Sequence, residues 1–542
     1  MTKVKTYTTQ SEQATSLDVV ATQVFCWDGN PSSGVACVEL LLLSGTVKYN
    51  ELLWLEQDSF SKMLKKHPDL SLLRRSDRKV LEIRLFQQIS RMLSTGRVGV
   101  AFRVTGLHTV NGQTVFVAGD RLLGYLDVPF ILAPSITLYH LRETEFSSQQ
   151  VAEELLQRLQ NNNPSVCIPV FAFTLLTSLQ SLVLSCGIPL TSVLYLAGPS
   201  GFGKTETAKK FFALYDIRGT EQPALITEAG STLAGLRNNL LSARDLPVTL
   251  DDLCISSGKI SQQKRVDLAS QILHEATNKG AIRVRMGGSA QCLSTQAGLT
   301  ITAEFPLSTI SDVTRCLIVH FRHPMKGGRP DDRMVTAGAL EHFLTWFLSH
   351  YEEERLQLKN LYSELLRSSE HLDRLQTGLF CLRWAFDAFL RFALSVGAIS
   401  PQVYSHMLVF LEQTLAAMDG QQRNIIASIQ RTIPKATIPA LLIAGLKSGD
   451  IPVIKKKKHW HTALGLIQKN NLLIAPHVLL NYLTRQDGYQ GLTAHKLGRE
   501  LKVARCLVLH ESDHSCTVKV GKDFPRVYHI LLDALEAAAQ QA

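Results

Sequence analysis

A glycine-rich octapeptide, GPSGFGKT at 198–205, has the residue types and spacing needed to hold a phosphate chain. Its glycines allow the backbone to curl so that successive N–H groups point at phosphate oxygens. The Lys204 ammonium can neutralise charge on the β- and γ-phosphates, and the Thr205 hydroxyl can ligate Mg²⁺. An apolar strand pattern at 193–196 precedes the octapeptide and a helical pattern follows it, which is the context of a P-loop. We therefore predict ATP and Mg²⁺ as cofactors, with nucleotide contacts from Gly198, Pro199, Ser200, Gly201, Phe202, Gly203, Lys204, Thr205 and Glu206.

A pair of acids ends the apolar run LPVTLDD at 246–252. P-loop enzymes use a buried strand of this kind to deliver a carboxylate to the metal. Asp251 is predicted to hold the Mg²⁺ shell, and Asp252 to orient or deprotonate the attacking water. The alternative is an acidic turn after an ordinary strand, but the complementary roles of loop and acids favour a shared site.

The elements that must position these residues follow from hydrophobic periodicity. Strands and helices alternate around the P-loop, which predicts an α/β sheet covered by helices. Long helical patterns follow, and then a helix and two strands in winged-helix order. The first part of the chain is α+β, with a type I′ hairpin turn predicted at Asn111-Gly112. The predicted domains are an N-terminal α+β accessory domain at 1–140, the P-loop ATPase at 141–330, a helical domain at 331–448 and a winged-helix-like domain at 449–542.

Composition narrows the class of protein. A net charge of +10 permits a polyanionic partner. The ten cysteines show no metal-site spacing and the N-terminus has no signal-peptide pattern, which together indicate a cytoplasmic protein. The stretch from Ser165 to Gly203 has no charged residue. Because it contains Gln180 and Pro169 and runs into the P-loop strand, we predict a buried helix and no membrane partner.

Two basic segments are candidate nucleic-acid contacts. Arg283 and Arg285 lie on a predicted hairpin at 281–292, and Lys455, Lys456, Lys457 and Lys458 form a run before the winged helix. Each lysine that neutralises a phosphate would strengthen DNA binding. A solvated linker explains the run equally well, so both interpretations stay open.

These motifs resemble the domain-of-unknown-function 927 family, helicase-like ATPases of phage, plasmid and integrative-element replication modules. The resemblance covers nearly the whole chain, with Leu107 where the family has tryptophan and Ala303 where it has glycine. It implies an AAA+-like homo-oligomeric motor, a hexamer, with Thr302 and Glu304 in a sensor role. It also implies that Arg315 is an arginine finger reaching the neighbouring subunit's γ-phosphate, although a salt-bridging surface arginine remains an alternative. The resemblance is carried by RVTGLHTVNGQTVFVAGDRLLG, GPSGFGKT, STLAGLRNNLLSARDLPVTLDDL and LTITAEF.

The function expected from these features is an ATP-dependent DNA helicase or translocase acting on single-stranded or forked DNA. It would be the replicative helicase or initiator ATPase of a mobile genetic element. No primase motif precedes the ATPase motifs, so a separate primase or initiator protein is expected as a partner. The alternative is an ATP-switched DNA-binding regulator or defence ATPase that does not separate strands.

Overall fold

The chain divides into two compact units, 1–422 and 423–542, each described by itself. Some side chains, including those of Asp252, Arg283 and Arg285, lie outside what the structure describes. The computed structural model describes residues 17–44, 46–56, 59–96, 98–136, 139–190, 193–217, 226–228, 233–253, 259–278, 282–286, 289–325, 327, 329, 331–369, 372–432, 436–456, 460–461, 464–486, 489, 491–508, 516–519 and 526–540.

The first unit begins with a five-stranded sheet in the order β3-β2-β1-β4-β8, covered by three helices. Alternating apolar residues of β1 and β2 point to these helices and form a core with them. A second, three-stranded sheet is β5-β6-β7. The elements are β1 (Leu17–Trp27), β2 (Val35–Ser44), β3 (Val47–Trp54), α1 (Phe60–Leu64), α2 (Pro68–Ser71), α3 (Arg75–Ser94), β4 (Gly99–Phe102), β5 (Gly106–Val110), β6 (Gln113–Ala118), β7 (Arg121–Leu123), β8 (Phe130–Leu132) and β9 (Tyr139–Leu141).

The β5–β6 hairpin has the turn that its sequence predicts. Val110 pairs with Gln113, so Asn111 and Gly112 are the two loop residues. Both have positive φ, 50° and 81°. Because a type I′ turn needs positive φ at both positions, the prediction is confirmed.

The central part of the first unit is a parallel five-stranded sheet in the order β12-β13-β16-β10-β17. The expected mixed α/β architecture is therefore present. Its elements are α4 (Ser148–Asn161), α5 (Pro164–Ser178), α6 (Gln180–Ser185), β10 (Val193–Ala197), α7 (Lys204–Phe211), β11 (Tyr215–Ile217), β12 (Ile226–Glu228), α8 (Leu233–Ser242), β13 (Pro247–Leu253), α9 (Lys259–Thr277), β14 (Ile282–Met286), β15 (Ser289–Leu293), β16 (Gly298–Ala303), α10 (Ile310–Val313) and β17 (Cys316–His320).

The uncharged stretch before the sheet forms a buried helix, as predicted. Side chains of α5 from Val166 to Ser178 are all buried. Phe171 packs edge-on against Phe389 with ring centroids 4.9 Å apart. Among the described residues, no helix is both long and apolar enough to span a bilayer.

Four long helices complete the first unit, and α14 continues past its boundary. They are α11 (Asp332–Ser349), α12 (Tyr351–Ser368), α13 (Arg374–Ser395) and α14 (Pro401–Thr432). The Gln422 side chain accepts the N–H of Ile318 and donates to the carbonyls of Val313 and Cys316, which fixes α14 against β17. The helical region thus belongs to the same unit as the parallel sheet, a coarser division than the four predicted domains.

The second unit has a four-stranded sheet, β18-β19-β20-β21, with helices packed on it. The sequence predicts two strands after the helix at Ala494–Val503. In the described residues this region forms two isolated β-bridges instead, one between Leu507 and Ile530 and one between Val518 and Val527. The elements are α15 (Ile438–Ser448), β18 (Val453–Ile454), β19 (Gly465–Gln468), β20 (Asn471–Ile474), α16 (Pro476–Leu483), α17 (Ala494–Val503), β21 (Tyr528–Leu531) and α18 (Leu532–Gln540).

Candidate active site

The loop between β10 and α7 has a conformation that depends on its glycines. Gly201 and Gly203 have φ of 75° and 86°, a region that disfavours other residues. A Cβ at Gly198 would lie 2.8 Å from Phe321, and one at Gly203 would lie 3.0 Å from Met325. The segment after β17 therefore packs directly on the loop, and the Met325 N–H donates to the Phe202 carbonyl at 3.2 Å.

Lys204 begins α7 and its ammonium is turned back over the loop. Its Nζ donates to the carbonyl oxygens of Gly198 and Pro199, both at 2.8 Å. The residue is only 8% exposed, so its charge acts with little screening by solvent. The ammonium is thus held where bound phosphates would replace the carbonyls as its partners.

A buried ion network fixes the position of α7. Lys210 lies 3.3 Å from the Asp332 carboxylate, which also accepts a 2.6 Å hydrogen bond from Arg158. These three residues join α7, α11 and α4. Because breaking a buried pair leaves an uncompensated charge, the network restrains the helix that carries Lys204.

Asp251 lies at the centre of a hydroxyl–carboxylate cluster. Its Oδ1 accepts hydrogen bonds from Thr205 Oγ1 at 3.0 Å and from Thr302 Oγ1 at 2.5 Å. The residues meet because β16 lies between β10 and β13, which brings the carboxyl ends of the three strands together. The two hydrogen bonds that the described residues make to this carboxylate are both to Oδ1. The other oxygen, Oδ2, is left for a metal ion. Hydroxyl and carboxylate oxygens are ligands that suit Mg²⁺.

Most of the predicted nucleotide and catalytic residues share one cleft of about 260 Å³. The Glu304 N–H donates to the Leu253 carbonyl at 3.1 Å, which places the end of β16 beside the acidic end of β13. Gly198, Pro199 and Phe202 belong to the same loop and contribute the carbonyl contacts described above. The cleft is lined by Ser200, Gly201, Gly203, Lys204, Thr205, Glu206, Leu253, Thr302, Ala303 and Glu304.

Asp252 stands at an irregularity in β13. The pairing of β13 with β16 is regular up to Leu250 and shifts before Leu253. The backbone of Asp252 is therefore in the strand next to Asp251, but its side chain lies outside the described residues. Its role with the attacking water stays a prediction.

Arg315 lies at the opposite end of the sheet from the cleft. It precedes Cys316, which pairs with Val193 at the start of β10, whereas His320 pairs with Ala197 beside the loop. That separation is about 13 Å of strand, from the rise per residue. Arg315 donates to Ser311 O and Oγ at 2.7 and 2.5 Å, and its buried Nε has no hydrogen-bond partner among the residues that the structure describes. Burial, with a further contribution from Arg374, lowers its pKa.

The structure shares its fold with a known protein of similar length. The solved structure of the SCCmec type IV Cch active helicase matches with a TM-score of 0.50 and 12% sequence identity, over 97% of this chain and 95% of that one. At this identity the likeness shows the fold alone. No family model matches the chain, and no curated protein matches it.

The candidate DNA contacts are only partly described. Arg283 and Arg285 lie on β14, which pairs with β15 as the predicted hairpin, but their side chains and Gly287-Gly288 fall outside the described residues. Lys455 and Lys456 are exposed just after β18. Lys457 and Lys458 lie outside the described residues.

Two features of the site had no signal in the sequence. The first is the contact of Phe321 and Met325 with the loop, since a close approach from a later segment follows no fixed spacing.

The second is Asp245, two residues before β13, whose carboxylate accepts the N–H groups of Leu107 at 2.9 Å and Ser181 at 2.7 Å. Asp245 anchors the β5–β6 hairpin and α6 to the start of the strand that carries Asp251. Its positive φ of 52° is a conformation that Asp tolerates better than most residues.

Proposed function

We propose that this protein is a Mg²⁺-dependent ATP hydrolase that separates DNA strands, as the replicative helicase or initiator ATPase of a mobile genetic element. The observation that carries the proposal is that Lys204, Thr205 and Thr302 line one cleft beside a glycine-dependent loop, and both threonines donate hydrogen bonds to the buried Asp251 carboxylate. Membership of the domain-of-unknown-function 927 family belongs to the same proposal. The shared fold with an active helicase supports it.

In the proposed mechanism each residue has a distinct task. The loop N–H groups bind the phosphates, and Lys204 transfers its hydrogen bonds from the loop carbonyls to phosphate oxygens. Thr205 and Asp251 would hold Mg²⁺, which would supply charge neutralisation at the phosphates, and Thr302 orients the Asp251 carboxylate. Asp252 positions the water, with Glu304 at the edge of the cleft. Arg315 is assigned to the neighbouring subunit's γ-phosphate, and its position at the end of β17 away from its own cleft supports this assignment.

We infer that the second unit supplies a winged-helix-like DNA contact. Residues 423–542 carry seventeen Lys and Arg against eight Asp and Glu. On α17, Leu497 and Leu501 are buried, whereas Lys496, Arg499 and Lys502 are exposed on the other side. Tyr528 of β21 donates to the Ala494 carbonyl at 2.5 Å and holds the helix against the sheet. A helix presented in this way is suited to the major groove.

The test measures ATP turnover and strand displacement on a forked DNA with the full chain. Lys204→Ala should abolish both, since it removes the cation on the β/γ-phosphates. Lys359→Ala on α12, outside the site, is the matched control. Near-wild-type turnover in folded Lys204→Ala would remove the site assignment.

A second function remains open to the same experiment. ATP turnover by the wild type without strand displacement on any fork would favour the ATP-switched regulator. Conversion to a hexamer-sized species by ATP and single-stranded DNA together would support the AAA+-like motor.

A further inference from the structure

One short segment of the first unit carries a large share of the protein's charge. Residues 59–97 contain ten Lys and Arg but only three Asp and Glu. This excess of seven positive charges compares with a net charge of +10 for all 542 residues. The segment forms α1, α2 and α3 and takes no part in the candidate active site.

These charges lie on the outer side of a single layer. The inner sides of the three helices share one apolar cluster with β1 and β2, through residues such as Met63, Leu70 and Leu85. The opposite sides therefore face solvent. We call this surface the cationic face, and its exposed cations are Lys62, Lys65, Lys66, Arg74, Arg75, Lys79 and Arg91.

Among the described residues, few carboxylates form ion pairs with the cations of the cationic face. In the part of the chain that is described, Arg84 pairs with Asp18 at 3.5 Å, and Arg78 donates to the Ser71 carbonyl. No such ion pair within the described residues involves Arg74, Arg75 or Lys79. Within the described residues, the charge of these three side chains is therefore available to a partner.

The arrangement is unfavourable for α3 itself. Arg74 is the N-cap residue and makes no side-chain cap hydrogen bond. Arg74 and Arg78, and likewise Arg75 and Lys79, are like charges four residues apart, which destabilises a helix. They also surround the positive end of the helix dipole, where cations are disfavoured and only Asp77 is acidic. A bound polyanion would reverse both effects.

The shape of the cationic face suits an extended chain. With twenty residues, α3 is about 30 Å long, from the rise per residue. Ile83 and Phe86 are 49% and 48% exposed between the cations at the two ends. Exposed aromatic and apolar groups among cations give a nucleic acid both phosphate and base contacts.

We propose that the cationic face binds the phosphate backbone of DNA, independently of nucleotide. The proposal rests on the proposed function only in taking DNA as the polyanion. Binding should be insensitive to base sequence, because phosphate contacts carry no base information.

The experiment uses the full chain with Arg74→Gln, Arg75→Gln and Lys79→Gln combined, without ATP. Fluorescein-labelled 30-mers, single-stranded and duplex, are titrated by anisotropy over a range of NaCl concentrations. The log–log salt slope should fall by about 2–3, and affinity at low salt by at least tenfold. The melting temperature should rise by at most about 1 °C, because the repulsion relieved within α3 is small for so large a unit. The two DNA forms show whether the face prefers single strands.

The matched control removes three other cations, Arg355→Gln, Arg367→Gln and Arg383→Gln, on α12 and α13. Arg355 and Arg383 are paired with Glu352 and Glu412, so this variant should keep the slope and lose stability. An unchanged slope in the first variant, with wild-type DNA binding intact, overturns this inference alone. Failure of the wild type to bind any DNA overturns the proposed function as well. If the Arg74→Gln, Arg75→Gln, Lys79→Gln variant loses binding to vesicles containing phosphatidylserine but keeps its DNA binding, the cationic face binds a membrane surface and the proposal is overturned.

Discussion

The carboxylate of Asp245 accepts the backbone N–H of Leu107 at 2.9 Å, although 138 residues separate the two in sequence. The Asp245 carboxyl is fully buried, and burial raises its pKa to about 6. The hydrogen bonds from Leu107 and Ser181 and the charge of Arg244 oppose the shift without cancelling it. The contact that joins the β5–β6 hairpin to β13 therefore titrates in mildly acidic solution.

Asp245 should make the stability of the first unit fall as pH rises from about 4 to 6. The folded state keeps the proton up to the raised pKa, whereas the unfolded chain releases it near the usual value for Asp. The whole shift corresponds to roughly 3 kcal/mol of unfolding free energy. Asp245→Asn cannot titrate. Urea unfolding at several pH values should therefore show that the free energy of unfolding of the variant rises relative to that of the wild type between about pH 4 and 6. Parallel curves would contradict the prediction.

Asp252→Asn should still bind Mg²⁺-ATP but hydrolyse it about 10²–10⁴-fold more slowly, because Asp251 keeps the metal and only the base is lost. Binding of a fluorescent ATP analogue and single-turnover hydrolysis measure the two steps. Asp251→Asn is the comparison and should lose the Mg²⁺ dependence of binding. If Asp252→Asn loses nucleotide binding instead, Asp252 belongs to the metal shell.

Arg315→Ala should be inactive alone and partly rescued by Lys204→Ala subunits. Random mixing at equal amounts leaves about a quarter of interfaces with both an intact loop and an intact finger. ATP turnover is measured across mixing ratios, with subunit exchange followed by fluorescence transfer. Arg383→Ala, whose arginine is paired with Glu412, serves as the control. Exchange without recovered turnover would leave Arg315 a structural residue.

Replacing Lys455 to Lys458 with Ala should flatten the salt dependence of DNA affinity by up to ~3–4 on a log–log plot. ATP turnover without DNA should survive, while its stimulation by DNA should fall. Lys447→Ala with Lys469→Ala, two exposed cations of the same unit, is the comparison. A slope equal to that of the wild type would make the run a linker.

Sequence predicted the parts of the site that depend on neighbouring residues. The Asn111-Gly112 turn and the 198–205 loop both follow from local backbone preference. The meeting of Thr205, Asp251 and Thr302 could be anticipated because the ends of parallel strands share an edge. The contact of Met325 with Gly203 and the anchoring of Leu107 by Asp245 could not, because each depends on how distant segments pack. Likewise, only the pairing of Cys316 with Val193 places Arg315 away from its own cleft.

The aromatic contact between α5 and α13 bears on how the protein can be cut. Phe171 packs against Phe386 and Phe389, and α5 in turn lies on the parallel sheet. A fragment ending at residue 330 would uncover this face of α5, and an apolar patch of that kind promotes aggregation. An expression fragment intended to isolate the nucleotide-binding sheet therefore has to extend at least through Ser395, where α13 ends.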